Sequence, residues 1–326
     1  MINSKELFLP VLIDGKYGFI NKEKDIVIKP KFKYASNRFK DGYCVVTYIK
    51  KIQKESRWVF GYINKNGYTN IYLHLDSASE FNEGMAKIKI NGKYGYIDQS
   101  LDIFINPEFE YANNFSEGLA SIRINKEWGF INKYGNIVIK PNYTYAGSFF
   151  EEVSLVESKN KYGYIDKKGK FIIEPKYDIG SDFSQGLAAV RKNDKWGYID
   201  KYGNTVIDFV FDKANPFYED LAAVCINGKW GYINKSGFIV IDTIFDYVCD
   251  FKEGLARFNS GYNNLKSRNL NTKCGMWGFL NKKGSIEIEP IFDYISDFED
   301  GYAQVVQGSN SNYIDKYGKF ILKSKS

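Results

Sequence analysis

The sequence predicts an all-β fold: tandem 34-residue units of three strands each, ordered as an open superhelical, solenoid-like array. Three observations carry this reading. An aromatic-glycine pair returns at a fixed interval, apolar residues alternate with period two, and turn-forming residues recur at constant offsets from the pair. No stretch carries a convincing helical pattern.

The first strand of each unit, strand a, holds the pair. It occurs as Tyr17-Gly18, Phe60-Gly61, Tyr94-Gly95, Trp128-Gly129, Tyr162-Gly163, Trp196-Gly197, Trp230-Gly231 and Trp277-Gly278, and decays to Ser311-Asn312 in a ninth copy. From Gly61 to Gly231 the interval is 34 residues throughout, whereas insertions lengthen the steps from Gly18 to Gly61 and from Gly231 to Gly278. The chain therefore reads as a single repeat domain over residues 1–326. Eight full units start near 16, 59, 93, 127, 161, 195, 229 and 276, and a partial ninth covers 311–323. Strand a is apolar on both faces, with Trp230 and Tyr232 on one and Gly231 and Ile233 on the other. That implies an interior strand covered on both sides, with the glycine letting a neighbouring backbone or ring come close.

Three residues after each glycine, or after Asn312, stands Asn or Asp, from Asn21 to Asp315. Glycine follows three further on in seven of nine copies, with Lys24 and Leu101 as the departures. Asx-x-x-Gly suits a type I turn closed by a left-handed residue. Leu101 would be strained there, so the third copy is expected to turn differently. Strand b follows, as in Phe171, Ile173, Pro175 and Tyr177 alternating with Ile172, Glu174 and Lys176. Its recurring prolines (Pro30, Pro107, Pro141, Pro175, Pro290) predict a strand end, a bulge or an unpaired edge. A kinked link with an invariant phenylalanine, such as Phe217 or Phe251, leads to strand c, which opens with Gly-Leu-Ala or a variant of it. A tight turn, for example Asn91-Gly92 or Asn227-Gly228, returns to the next strand a.

The segments 195–208, KWGYIDKYGNTVID, and 229–242, KWGYINKSGFIVID, resemble the signature of the bacterial WG-repeat (KWG-repeat) family. The resemblance runs over about residues 8–323 and implies an all-β repeat protein with no general catalytic residues. Trp128, Gly129, Trp196, Gly197, Trp230, Gly231, Trp277 and Gly278 are its repeat-defining positions. A weaker likeness to choline- and glucan-binding cell-wall repeats reflects shared hairpin chemistry. Residues Phe8 to Ile13 align with strand c of a unit lacking its other strands, and the C-terminus supplies a and b without c. A closed, β-propeller-like ring is the alternative architecture. The open array is preferred because propeller blades usually have four strands and the best-known class has longer repeats.

Composition narrows the function classes. Of 326 residues, 26 are Tyr and 25 Phe, against one His, and the net charge is +6. The cysteines Cys44, Cys225, Cys249 and Cys274 have no Cys-x-x-Cys spacing. They read as free thiols in a reducing compartment, and no cofactor or metal is predicted. No signal peptide and no transmembrane run is recognisable, so a cytoplasmic location is expected, with export by a non-classical route left open. No Walker loop or nucleophile elbow is present. His74 reads as structural and the recurrent Asp residues as turn formers. The recurrent aromatics read as packing between units rather than as a ladder for ligands. The expected function is a non-catalytic scaffold for protein-protein interaction, with a glycan- or envelope-polymer-binding module as the alternative.

The two insertions carry the candidate site. Both fall between strands c and a, and insertions at one point of a repeat emerge on one face. The first, about 48–59, holds Lys50, Lys51, Lys54 and Arg57 against Glu55. The second, about 259–276, holds Lys266, Arg268 and Lys273. Each is net +3, which together equals the charge of the whole chain. The expected partner is a protein with an acidic surface, steered by charge; a glycan is a second option. The basic residues are too sparse for a nucleic-acid binder.

Overall fold

The computed structural model describes residues 8–21, 23, 25–52, 55–72, 74–261, 275–308 and 310–321. The chain falls into two compact units. One comprises Met1–Ser158 with Asp166–Lys170, the other Lys159–Ile165 with Phe171–Ser326. Every regular element among the described residues is a strand, and the strands form successive antiparallel sheets.

In the first unit, a representative sheet orders Tyr111–Ala112, Leu119–Ile124, Glu127–Asn132 and Ile137–Tyr143 side by side. The second unit repeats the arrangement in Lys213–Ala214, Leu221–Ile226, Lys229–Asn234 and Ile239–Phe245. The predicted strands c, a and b are the last three of each. The first is a two-residue strand inside what the sequence presented as a kinked link. The prediction of three-stranded units is corrected accordingly. Two residues cannot show a period, so the pattern that revealed the other strands is absent there.

The open superhelical array is corrected as well: the fold is a nine-bladed β-propeller, a closed ring. Four-stranded up-and-down sheets are propeller blades. Phe19 and Ile28 join the cluster shared with the second sheet. Leu9, Val11 and Ile20, on the opposite pleat, are buried too.

Glycine 129 shows why strand a needs its glycine. A Cβ there would lie 2.5 Å from the carbonyl oxygen of Ile139 and 2.6 Å from the nitrogen of Pro141. Strand b bulges against strand a at this point, with register shifts on both sides of Phe130. The prolines sit inside strand b, which is last in its sheet, and so mark a bulged edge. The Asx turns also form: Asp166 Oδ1 accepts the N–H groups of Lys168 and Lys170, both at 2.9 Å. The third copy keeps the turn despite expectation. Leu101 adopts φ 67° and donates its N–H to Asp98 O at 2.9 Å, as Gly135 does to Asn132 O. The hydrogen-bonded turn outweighs the strain, which is about 1–2 kcal/mol for one left-handed residue.

The core lies between successive sheets. One cluster joins Met85, Tyr96, Ile105 and Phe109 of one sheet to Phe115, Ala120 and Ile131 of the next. The tyrosine after the strand-a glycine adds a directed bond to this packing. Tyr62, Tyr96, Tyr164, Tyr198 and Tyr232 are fully buried, and each donates its hydroxyl to the main-chain oxygen 17 residues on. For Tyr232 the acceptor is Cys249 O. Phe19, Phe130 and Phe279 stand at the same position without a hydroxyl. Tyr232→Phe is therefore expected to fold and to lose only about 1 kcal/mol, the net worth of one hydrogen bond, as read by urea denaturation.

Candidate functional site

The recurrent polar residues are held by neighbouring blades. In the first unit the Glu83 carboxylate accepts the N–H groups of Glu117 and Gly118 at 2.6 and 3.0 Å, and Lys133 Nζ stands 3.2 Å away. Burial pushes the Glu83 carboxyl up, but the bonds from Gly118, Lys133 and Glu117 outweigh it and hold it below the usual range. Glu219 treats Gly254 and Lys282 the same way in the second unit. At the other end of the blades, Asp212 accepts Lys195 Nζ at 2.6 Å and Asn227 N–H at 2.7 Å. These groups are saturated by the fold. Two thiols are also quiet: burial pushes Cys44 up to about 12 and Cys249 up to about 11. His74 is exposed in a turn. Among the described residues, no group of three or more His, Cys, Asp or Glu is placed to hold a metal ion. No helix among them is long and apolar enough to cross a membrane.

The first insertion builds something the other blades lack. Its residues extend strands c and a into a ten-residue pair, Tyr43–Ile52 against Glu55–Asn64, where the equivalent strands elsewhere have six residues or fewer. The insertion is thus a projecting β-hairpin arm. Along it Tyr48 pairs with Val59, Ile49 with Trp58, Lys50 with Arg57 and Lys51 with Ser56. Period two therefore puts Ile49 and Trp58 on one face of the arm together with Lys51, and Lys50 with Arg57 on the other. Trp58 is 57% exposed and Ile49 46%. Of the five tryptophans, Trp58 alone is exposed; Trp128 and Trp230 are buried and Trp196 and Trp277 half-buried.

The predicted basic residues divide between the two insertions. Lys50, Lys51 and Arg57 are exposed on the arm, and Lys50 faces Arg57 across the ladder. Like charges placed opposite one another are unfavourable in an isolated pair of strands. Lys54, Lys266, Arg268 and Lys273 lie outside the described residues, as does Cys274. The second insertion is anchored at its base, where Gly261 N–H donates to Asp246 Oδ2 at 2.8 Å and Asn259 Nδ2 to Gly275 O at 2.9 Å. Sequence reasoning weighed the first insertion by charge and passed over Trp58. The available signal was its position, two residues before the aromatic of Phe60-Gly61 and hence outside every repeated aromatic slot.

Solved structures are similar to this chain at low identity. A crystal structure of a eukaryotic initiation factor aligns over 98% of this chain and 84% of its own, with TM-score 0.54 and 11% identity. That likeness shows the fold and overturns the open array in favour of the nine-bladed closed ring. PorZ of Porphyromonas gingivalis, a surface component of the type-IX secretion system, aligns over 99% of this chain and 51% of its own, at TM-score 0.36 and 9% identity. Hsv2p of Kluyveromyces lactis aligns over 74% and 93%, at TM-score 0.46 and 10% identity. No curated protein matches the sequence. The WG containing repeat model matches residues 17–48, 60–94, 94–128, 128–162, 162–196, 196–230, 230–263 and 277–310, and with eight repeats spanning its length the chain belongs to the WG containing repeat family.

Proposed function

We propose that this protein is a non-catalytic repeat scaffold for protein-protein interaction, and that the arm formed by Tyr43–Ile52 and Glu55–Asn64 engages an acidic surface of its partner. The observation that carries the reading is the exposed Trp58-Ile49 pair sharing one face of the arm with Lys51, with Lys50 and Arg57 exposed on the other face. Tryptophan and arginine are the side chains most enriched at binding hot spots.

The test replaces residues 49–58 with Asn-Gly, the turn that closes this hairpin at Asn91-Gly92 and Asn227-Gly228. The shortened protein is expected to melt like the parent and to lose salt-sensitive capture of partner proteins from a native lysate. Trp58→Ala should lower capture by about tenfold or more, as hot-spot truncation does. Undiminished capture by the armless protein would remove the reading. A glycan-binding role is the second reading, favoured by the highly exposed Tyr134, Tyr202 and Tyr317 at the tips of Asx turns. Saccharide-array binding lost in Tyr134→Ala and Tyr202→Ala, with no dependence on the arm, would decide for it.

A further inference from the structure

Seven blades have a seven-residue strand b with nearly the same exposure pattern, its second, fourth and sixth residues open to solvent. Strand b is last in the order of each of these sheets, so its outer side is an edge. Natural edges are blunted by proline and by charge. Five of the seven follow this rule at their fifth position, with Pro30, Pro107, Pro141, Pro175 and Pro290. In four of those five the sixth residue is polar: Lys31, Glu108, Asn142 and Lys176.

Two consecutive blades of the second unit break the rule at both places. In Thr205–Phe211 and Ile239–Phe245 the proline is replaced by Phe209 and Thr243, which restore a main-chain N–H. The polar residue is replaced by Val210 and Ile244, 56% and 66% exposed. Each edge then presents an aliphatic residue, a carboxylate and an aliphatic residue: Val206, Asp208, Val210, and Val240, Asp242, Ile244. Among the described residues neither Asp208 nor Asp242 has a hydrogen-bond or ion-pair partner, unlike the saturated acids at the blade ends.

We propose that these two edge strands form a docking surface for an extended segment of another protein, with a basic residue flanked two positions away on each side by an aliphatic one, that adds to a blade as a further strand. Main-chain pairing would supply affinity, and the alternating side chains specificity. The lone carboxylate selects the occupant. A basic residue opposite Asp208 or Asp242 is favoured, whereas antiparallel pairing with the same edge of a second copy would set carboxylate against carboxylate. This surface differs from the arm in location and in the charge it selects.

The test uses two fluorescein-labelled peptides, Ser-Val-Thr-Lys-Thr-Val-Ser and the same sequence with Glu for Lys, and reads fluorescence anisotropy with the full chain. The Lys peptide is expected to bind at least about tenfold more tightly than the Glu peptide, one opposite-charge pair replacing one like-charge pair. The double variants Phe209→Pro with Thr243→Pro and Val210→Lys with Ile244→Lys should each lose this binding. Both import residues that the Pro175-Lys176 blade already carries, so the fold should be retained. Asp208→Lys with Asp242→Lys should reverse the preference toward the Glu peptide. Trp58→Ala should leave binding unchanged, which separates this surface from the arm. Equal binding of the two peptides, or undiminished binding by the proline and lysine variants, would overturn the proposal.

Discussion

Gly231→Ala is expected to destabilise the protein by about 3 kcal/mol or more, the upper end of what overpacking costs. A Cβ on Gly231 would run into the carbonyl oxygen of Ile241 and stand 2.7 Å from both the carbonyl carbon and oxygen of Asp242. All three are main-chain atoms in the bulge where strand b crosses strand a, between the paired positions Trp230–Phe245 and Tyr232–Ile241. They cannot yield as a side-chain tip would, so relief requires breaking the register. Gly228→Ala is the control. Gly228 has φ 77° and nothing within 4 Å of its would-be Cβ. Its substitution meets only left-handed backbone strain, about 1–2 kcal/mol. Urea denaturation of both variants compares them directly. Equal midpoints would show that clearance is not what the repeated glycine provides.

Asp182→Asn is expected to stabilise the protein at neutral pH by about 1–3 kcal/mol, scaled from one to two pKa units at 1.36 kcal/mol each. Burial pushes the Asp182 carboxyl up from 3.8 to about 6. The folded state therefore holds a proton that the unfolded chain has already released between these two values. Stability falls as pH rises through that window and is level above about 6, where both states are ionised and the buried charge carries its full penalty. Asparagine has no charge to bury. The gain from Asp182→Asn should be absent below pH 3.8, grow up to about pH 6 and stay constant beyond. Paired melting curves across this range measure the difference and cancel the other titrating groups. A gain independent of pH would mean that the amide packs better, and that the charge has no part in it.

Much of the repeat is legible in the sequence because its signals are periodic. Trp230-Gly231-Tyr232 and the Asn234-Gly237 turn recur with their spacing intact, so strand, turn and glycine clearance can be argued from one copy and checked on the others. The short first strand is not legible, since Lys213–Ala214 is too brief to show alternation. The strain at Leu101 was misjudged because local preference is weaker than the hydrogen bonds of the turn it closes. In the candidate site, Lys50, Lys51 and Arg57 were visible as charges. Trp58 became visible only when pairing with Ile49 placed it on a projecting arm.

The sequence by itself determined the all-β class, the 34-residue period, the Asx turns and the family. Each rests on local geometry repeated often enough to read. The tertiary structure alone decided that a fourth strand completes seven of the nine sheets and which side chains remain free of the packing. Those outcomes depend on contacts between residues far apart in the chain. Tyr232 reaching Cys249 and Glu219 reaching Gly254 are set by how one twisted sheet stacks on the next, and no single repeat contains that information.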